Sequence, residues 1–408
     1  MVARLILATT ASLAVTAATA AAVAPATASA VFTSQDTAQG QAVDSLSPNA
    51  LEEVAHQQDV LMRTLEPFQN DLSEFDTWMT HDASGNVTFN VRGQRVDSLT
   101  EVLDRVKGKG INVSTSNAES VGPKATAALN DGLIPQEING QKVLGVGVDP
   151  ETKSILVDLK DSDTILGTAA STNTSARAEV ERILMEWPGL PDLDVVIRES
   201  EDAGPASDHP GDAILGGVNL STCTAAFTVK HNGAEGLLTA AHCSKYGISN
   251  RPGYIGGGHY TGTGVPMSKQ WGPNADMQAI RIPSDDFTKP RYYNGRSNFS
   301  VPQSRPGAAM KGNIVGHLGK TTGFSYGYVD TTQYKPLWDA CNGRTCNASF
   351  VRVQATQYLG DSGGPWFTLS QNVPLGVHHG GEIIGDKPGG WSVYSALRFL
   401  PTGTTVQY

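Results

Sequence analysis

Several large protein classes are excluded by what this sequence has little of. Past the first thirty residues, no stretch approaches the roughly 20 unbroken apolar residues that a membrane-crossing helix needs, so no membrane partner is expected. Basic tracts are missing too. Thirty Lys and Arg stand against 40 Asp and Glu, a formal net charge of −10, which argues against a protein that grips nucleic-acid phosphates. No repeat or low-complexity tract supports a structural or adhesive role. Cysteine is scarce, with four in 408 residues.

The N-terminus carries a strong address. Arg4 supplies a positive start, an apolar run rich in Leu, Ala and Val follows, and Ala28-Ser29-Ala30 is a small-x-small cleavage site. Residues 1–30 read as a signal peptide. A membrane anchor is the weaker reading, because the stretch is rich in Ala and Thr and is broken by Pro25. A secreted, extracellular protein is expected. In an exported chain, Cys223, Cys243, Cys341 and Cys346 read as two disulfides, for which three pairings are possible.

A chain of this length suggests two folded units. Ser47 caps a predicted helix with Pro48 in its first turn and Leu51, Val54, Leu61, Met62 and Leu65 at helical spacing; Pro67 ends it. Val87, Phe89 and Val91 alternate as a strand. Ser98-x-x-Glu101 then forms the pattern of a capping box before a helix bearing Leu99, Val102, Leu103 and Val106. Ile111 and Val113 begin another strand. A second strand–helix–strand unit follows: SILVDL over 154–159, a helix from about Ala176 to Trp187, and DVVIRES over 194–200. This predicts a small α+β region over roughly 47–200. The stretch 201–212 has the acidic, Gly/Pro composition of a linker. Beyond it, short β-like runs are divided by Gly, Asn and Pro turns, and His231-Asn232-Gly233-Ala234 is a hairpin signal. About 200 residues of this pattern fit two six-stranded barrels or one large sandwich.

The chemistry is concentrated in that all-β part. In Gly360-Asp361-Ser362-Gly363-Gly364-Pro365, glycines around Ser362 allow a tight turn that presents a hydroxyl beside backbone N–H groups, the donors an oxyanion needs. A hydroxyl attacks poorly until a base takes its proton, and imidazole is suited to that task. Of nine histidines, His242 in Leu238-Thr239-Ala240-Ala241-His242-Cys243 stands at the end of an apolar strand. Cys223 lies one hairpin back, and a Cys223–Cys243 bridge would pin the histidine's loop. A metal site on Cys223, His242 and Cys243 is the alternative; it lacks a CxxC pair and a fourth ligand, and no metal is expected. The third member should be a carboxylate that orients the imidazole. Asp276 directly precedes an alternating strand and is the candidate, ahead of Asp285 and Asp286, which follow Pro283 in a turn.

With these motifs in the order His, Asp, Ser, the sequence resembles the chymotrypsin superfamily, and within it the secreted bacterial streptogrisins and α-lytic protease. The resemblance covers about 205–408. It is specific at TAAHC and GDSGGP and loose between 245 and 350. It implies a catalytic domain with a chymotrypsin-like double six-stranded β-barrel over 205–408, behind a pro-region over 31–204 that assists folding and inhibits the finished enzyme. It assigns Ser362 as nucleophile, His242 as general base and then acid, Asp276 as the orienting acid, and the N–H groups of Gly360 and Ser362 as the oxyanion hole. His378, His379, Gly380 and Gly381 fall on the substrate-binding strand. Asp361 would be buried and need a cation; an internal arginine is expected.

The sequence also departs from the family pattern. No cysteine precedes GDSGG, and Cys341 with Cys346 is expected to close a loop of its own. His379 stands where the family usually has serine. His378 occupies the place of a histidine that reads acidic P1 side chains in glutamate-specific members, which makes an acidic P1 one reading and an apolar P1 the other. Against the acidic one, Leu359 and Gly381 replace hydroxyl residues, and Glu382 would repel an acid. The two histidines could instead only complete the strand and hydrogen-bond near Asp276.

Rival functions are poorer fits. Gly360-x-Ser362-x-Gly364 also matches the nucleophile elbow of α/β-hydrolases, but no histidine follows His379 and the βαβ alternation is missing. A catalytically inactive homologue that binds peptides is the other rival, yet all three triad residues are present. The expectation is a monomeric serine endopeptidase acting on proteins and peptides, cut from its pro-region within 203–212. No cofactor is needed, because the enzyme itself carries the acyl group.

Overall fold

The computed structural model of the protein describes residues 46–160, 169–187, 190, 193–200, 203–205, 216–248, 262–282, 288, 291–293, 298–301, 308–369, 372–384 and 387–407. The signal peptide, Asp285 and Asp286 lie outside the described residues, as does most of the 201–212 linker.

The N-terminal region is α+β. Its first helix, Pro48–Leu65, starts where the Ser47 hydroxyl accepts the Ala50 N–H, and it buries Val54, Leu61 and Leu65. Those side chains pack on a three-stranded sheet of Asp76–His81, Val87–Arg92 and Asn112–Ser116, the last two parallel and linked through the helix Thr100–Lys107. The capping box is not formed. The chain enters that helix through a 3-10 turn, Val96–Leu99, and the Ser98 hydroxyl donates to the Arg95 carbonyl instead.

A second unit pairs Gln141–Asp149 with Ser154–Lys160, which runs parallel to Asp194–Ser200 across the helix Ala169–Glu186. That helix begins seven residues before the predicted start. Its first turns are Ala, Ser, Thr and Asn, which carry no apolar period to read. The helix Gly122–Asn130 escapes a periodicity reading for a related reason, since much of its buried face is alanine.

Beyond residue 216 the described residues are mostly β, with one 3-10 turn at Leu397–Phe399, in the expected double-barrel arrangement. Six strands close the second barrel in the order Ile314–Gly319, Pro365–Thr368, Pro374–Ile384, Lys387–Ala396, Phe350–Gln354 and Gly323–Pro336; the last pairs back onto the first. The other barrel is a curled half-barrel among the described residues. It has five strands, Val265–Gly272, Ala275–Arg281, Ala234–Thr239, Thr228–His231 and Thr404–Val406, beside a sheet of short strands that includes Cys223–Ala225. The hairpin at Asn232-Gly233 has both residues at positive φ, 49° and 86°, the twist a two-residue turn needs.

The two parts share a sheet. Gly323–Pro336 runs on past the barrel and pairs antiparallel with Gln141–Asp149. Tyr334 lies so close to that strand that a Cβ at Gly145 would sit 2.0 Å from its hydroxyl, so only glycine fits there. Buried polar groups fix this contact. The Tyr334 hydroxyl donates to Asp158 at 2.7 Å, Arg352 bonds both Asp158 and Asp330, and Lys311 Nζ lies 2.5 Å from Asp149 and 3.3 Å from Glu151. Gln58 bonds both the N–H and the carbonyl of Ile314.

Replacing Asp158 by Ala removes the acceptor of the buried Tyr334 hydroxyl's 2.7 Å bond and takes one of two carboxylates from Arg352. The intact chain should lose about 3 kcal/mol of stability in urea unfolding.

Candidate active site

The proposed triad residues come from both barrels and meet where the barrels adjoin. His242 follows the strand Ala234–Thr239, where Ala240 and Ala241 are buried, and its loop is held by the Cys223–Cys243 disulfide. The Gln278 amide donates to the carbonyls of Ala240 (2.8 Å) and Cys243 (2.6 Å), tying the loop to the Asp276 strand. With both sulfurs in the bridge, the cysteines offer no thiolate to a metal beside His242.

Asp276 is fully buried in the strand Ala275–Arg281. Its Oδ1 accepts the His242 backbone N–H at 2.9 Å, and its Oδ2 accepts Nδ1–H of His242 at 2.5 Å. On the far side of the ring, Nε2 lies 2.9 Å from Ser362 Oγ. Burial alone would push the Asp276 pKa up. The charge and hydrogen bonds of His242 and His379 outweigh it and hold the carboxyl below the usual carboxylate range.

Ser362 sits in a turn only these glycines allow. Gly360 and Gly363 have φ of 99° and 85°. A Cβ at Gly363 would lie 2.1 Å from the Thr239 hydroxyl and 2.2 Å from the Thr224 carbonyl. Thr224 N–H donates to the Ser362 carbonyl at 2.7 Å, and Gly363 N–H to His378 O at 2.8 Å, so both barrels grip the turn.

The neighbouring Asp361 corrects an expectation. Among the described residues neither an arginine nor any other ion-pair partner reaches it. Its carboxylate instead accepts the N–H groups of Thr321 (2.8 Å), Thr322 (3.0 Å) and Tyr358 (2.8 Å), with the Thr322 hydroxyl at 2.5 Å. Burial pushes its pKa up, and these four donors work against that rise in place of a cation. A readable signal did exist: Gly319-Lys320-Thr321-Thr322 offers two hydroxyl residues after a glycine, and a Cβ on Gly319 would lie 2.1 Å from the Asp361 carboxyl.

The residues placed on the substrate strand all lie in Pro374–Ile384 and point two ways. His379 turns toward the triad: its Nδ1 lies 2.6 Å from Asp276 Oδ2, its Nε2 accepts the Trp338 indole N–H at 3.0 Å, and its carbonyl is 3.2 Å from Ser362 Oγ. No motif pointed to Trp338. His378 turns into the closed barrel, against the rings of His317 and Trp366. Trp366 Nε1 donates to its Nδ1 at 3.3 Å, while its Nε2 finds no hydrogen-bond partner among the described residues. Burial holds its pKa well below the ordinary imidazole value, helped by the neighbouring histidines. Gly380 and Gly381 pair antiparallel with Pro205 and Gly204. Glu382 Oε2 accepts the Gly390 N–H at 2.7 Å. The second disulfide joins Cys341 and Cys346.

A hydroxyl, an imidazole and a buried carboxylate lie in line where the two β-barrels meet, an arrangement suited to a serine endopeptidase of the chymotrypsin fold. No protein-family model matches the chain. A solved glutamic acid-specific serine protease, described as using a histidine triad in substrate binding, is 27% identical. It is covered over 100% of its length and 48% of this chain, with a TM-score of 0.38. Thermobifida fusca Protease A is 26% identical over 50% of this chain and 96% of its own, with a TM-score of 0.36. Glutamyl endopeptidase 2 of Streptomyces griseus is 30% identical over 185 residues, 42% of this chain and 83% of the relative. The chain belongs to the family of that relative, the chymotrypsin-like bacterial serine endopeptidases of the streptogrisin branch.

Asp361→Asn leaves one acceptor oxygen for four donors. It should cost about 2 kcal/mol or more in thermal unfolding, with a matching loss of peptide hydrolysis.

Proposed function

We propose that the protein is a secreted serine endopeptidase, made as a precursor, that cuts peptide bonds through Ser362, His242 and Asp276. The observation that carries this reading is the unbroken line from Asp276 Oδ2 through His242 to Ser362 Oγ, at 2.5 and 2.9 Å. With Nδ1–H committed to Asp276, Nε2 is free to accept the Ser362 proton as Oγ attacks the scissile carbonyl. The imidazolium formed is stabilised by the buried carboxylate and then protonates the leaving amine. Gly360 and Ser362 N–H groups, on a turn with φ of 99° at Gly360, are assigned to the oxyanion. Export rests on the leader at 1–30 and suits a chain with two disulfides.

Residues 31–204 are assigned as a pro-region that helps the barrels fold and blocks the site. In support, Ala203–Pro205 runs antiparallel along Gly380–Glu382, the strand beside Ser362. A substrate lying the same way continues past Gly380 to His379, whose carbonyl neighbours Ser362 Oγ. The residue after Pro205 is Ala206, so this register favours a cut after 206, inside the 203–212 window, and a small apolar P1. An acidic P1 draws on a different observation. His378 holds its Nδ1 toward an indole donor, so its neutral ring carries a proton on Nε2, a buried donor without an acceptor. The relative is by name a glutamyl endopeptidase.

The test is to express the exported precursor beside Ser362→Ala and assay self-cleavage and peptides varied at P1. Wild type should mature within 203–212 and hydrolyse peptides, with the variant uncut and slower by about 10⁴-fold or more. If wild type stays intact and inert, the peptide-binding reading replaces this one. If His378 reads acids, His378→Val should cut the preference for Glu over Leu by about tenfold or more.

A further inference from the structure

We propose that His379 is a positioning residue of the catalytic centre: held by Trp338 with its proton on Nδ1, it gives Asp276 a second imidazole N–H and tunes the grip of that carboxylate on His242. This rests on the triad assignment above and adds to it a fourth side chain and its holder.

The tautomer follows from donor chemistry. An indole nitrogen only donates, so the 3.0 Å contact makes Nε2 of His379 the acceptor. A neutral ring then carries its proton on Nδ1, which faces Asp276 Oδ2 at 2.6 Å. The ring stays neutral because burial disfavours its charged form, against the opposing pull of Asp276. The charged or titratable groups that act on it are Asp276, His242, His378 and Asp339, with Lys269 acting on Asp276 from the adjoining strand. A second proton would need Nε2 to give up the indole N–H. One oxygen, Oδ2, therefore serves two imidazole donors, His242 Nδ1–H and His379 Nδ1–H. Sharing divides what that oxygen offers, so how firmly Asp276 holds His242 depends on the donor that His379 supplies. The ring of His379 also stands edge-on to His242, with centroids 5.4 Å apart at 86°, and limits how that imidazole tilts.

The holder is well anchored. Trp338 stacks on His379 (5.7 Å, 20°) and leans on Trp391 and Tyr334. It lies three residues before the Cys341–Cys346 loop. That segment is bound to the turn just before Asp276: Asn347 N–H donates to Pro273 O (2.7 Å), its side-chain amide to Asn274 Oδ1 (2.7 Å), and the Ser349 hydroxyl to Asn274 O (3.0 Å). One stretch of chain thus places both the carboxylate and its second donor.

Three variants of the self-processed enzyme test this through kcat, KM and the pH profile of kcat/KM. His379→Leu removes the N–H; kcat should fall about tenfold or more with KM within about twofold, and the acid limb should move to higher pH. His379→Asn keeps an N–H near the Nδ1 position and should recover most of that loss. Trp338→Phe frees Nε2 to take a proton, so the acid limb should steepen as two protons, not one, abolish activity. Independently of activity, the Ser362→Ala precursor should show two strongly hydrogen-bonded imidazole protons at low field in NMR, and His379→Asn should leave one. The proposal is overturned if Leu and Asn behave alike with an unmoved acid limb, or if the parent shows one such proton. Two low-field protons in a chain whose wild type hydrolyses nothing would uphold the hydrogen-bond arrangement and sink the peptidase reading instead.

Discussion

A carboxylate with no exposure to water is costly unless every lone pair is engaged, and Asp276 is the group on which this molecule's design turns. Its two oxygens take one backbone N–H and two imidazole N–H groups, and Ser395 Oγ accepts its own N–H at 2.9 Å. Those donors come from the His242 loop and the strand Pro374–Ile384, and the acceptor of its own N–H from the strand Lys387–Ala396, so both barrels must be in register before the charge is satisfied. The Cys223–Cys243 bridge, the Gln278 amide and the 338–349 segment can all be understood as holding that carboxylate's surroundings in place. The same logic holds one turn away at Asp361, where four donors stand in for a counter-ion.

How much of this could be read from the sequence depended on the range of the interaction. The first helix, the Asn232-Gly233 hairpin and the GDSGGP turn announce themselves because caps, left-handed turns and glycine spacing are local. His242 and Ser362 could be named as candidates because each sits in a tight local motif, and Asp276 because it follows His242 and directly precedes an alternating strand. Trp338 was not: its indole meets His379 across 41 residues, and nothing near it in sequence marks the contact. The Thr321-Thr322 cradle was only partly readable: its hydroxyls show in the sequence, but three of its four donors are backbone N–H groups, which have no letter there. The capping box shows the converse, a correct local pattern overridden by a 3-10 entry to the helix.

The closed barrel carries an unusual amount of polar aromatic material. His317, His378, Trp366 and Tyr394 stack in succession, with centroids between 4.5 and 6.1 Å. Burial raises the Tyr394 pKa and lowers that of His378, so both are neutral. Their rings pack like an apolar core while retaining N–H and O–H groups.

The sheet that runs from the barrel into the N-terminal region has a further consequence. While the chain is whole, the strand Gln141–Asp149 meets Gly323–Pro336 as part of one molecule, at an effective concentration fixed by the connecting segment. A single cut near residue 206 breaks no hydrogen bond of that sheet, yet it turns an intramolecular contact into an encounter between two bodies. From then on the lifetime of the pairing is a dissociation rate, and its extent depends on dilution. An enzyme released into a large volume would shed its partner by mass action, whereas one held in a confined space would keep it.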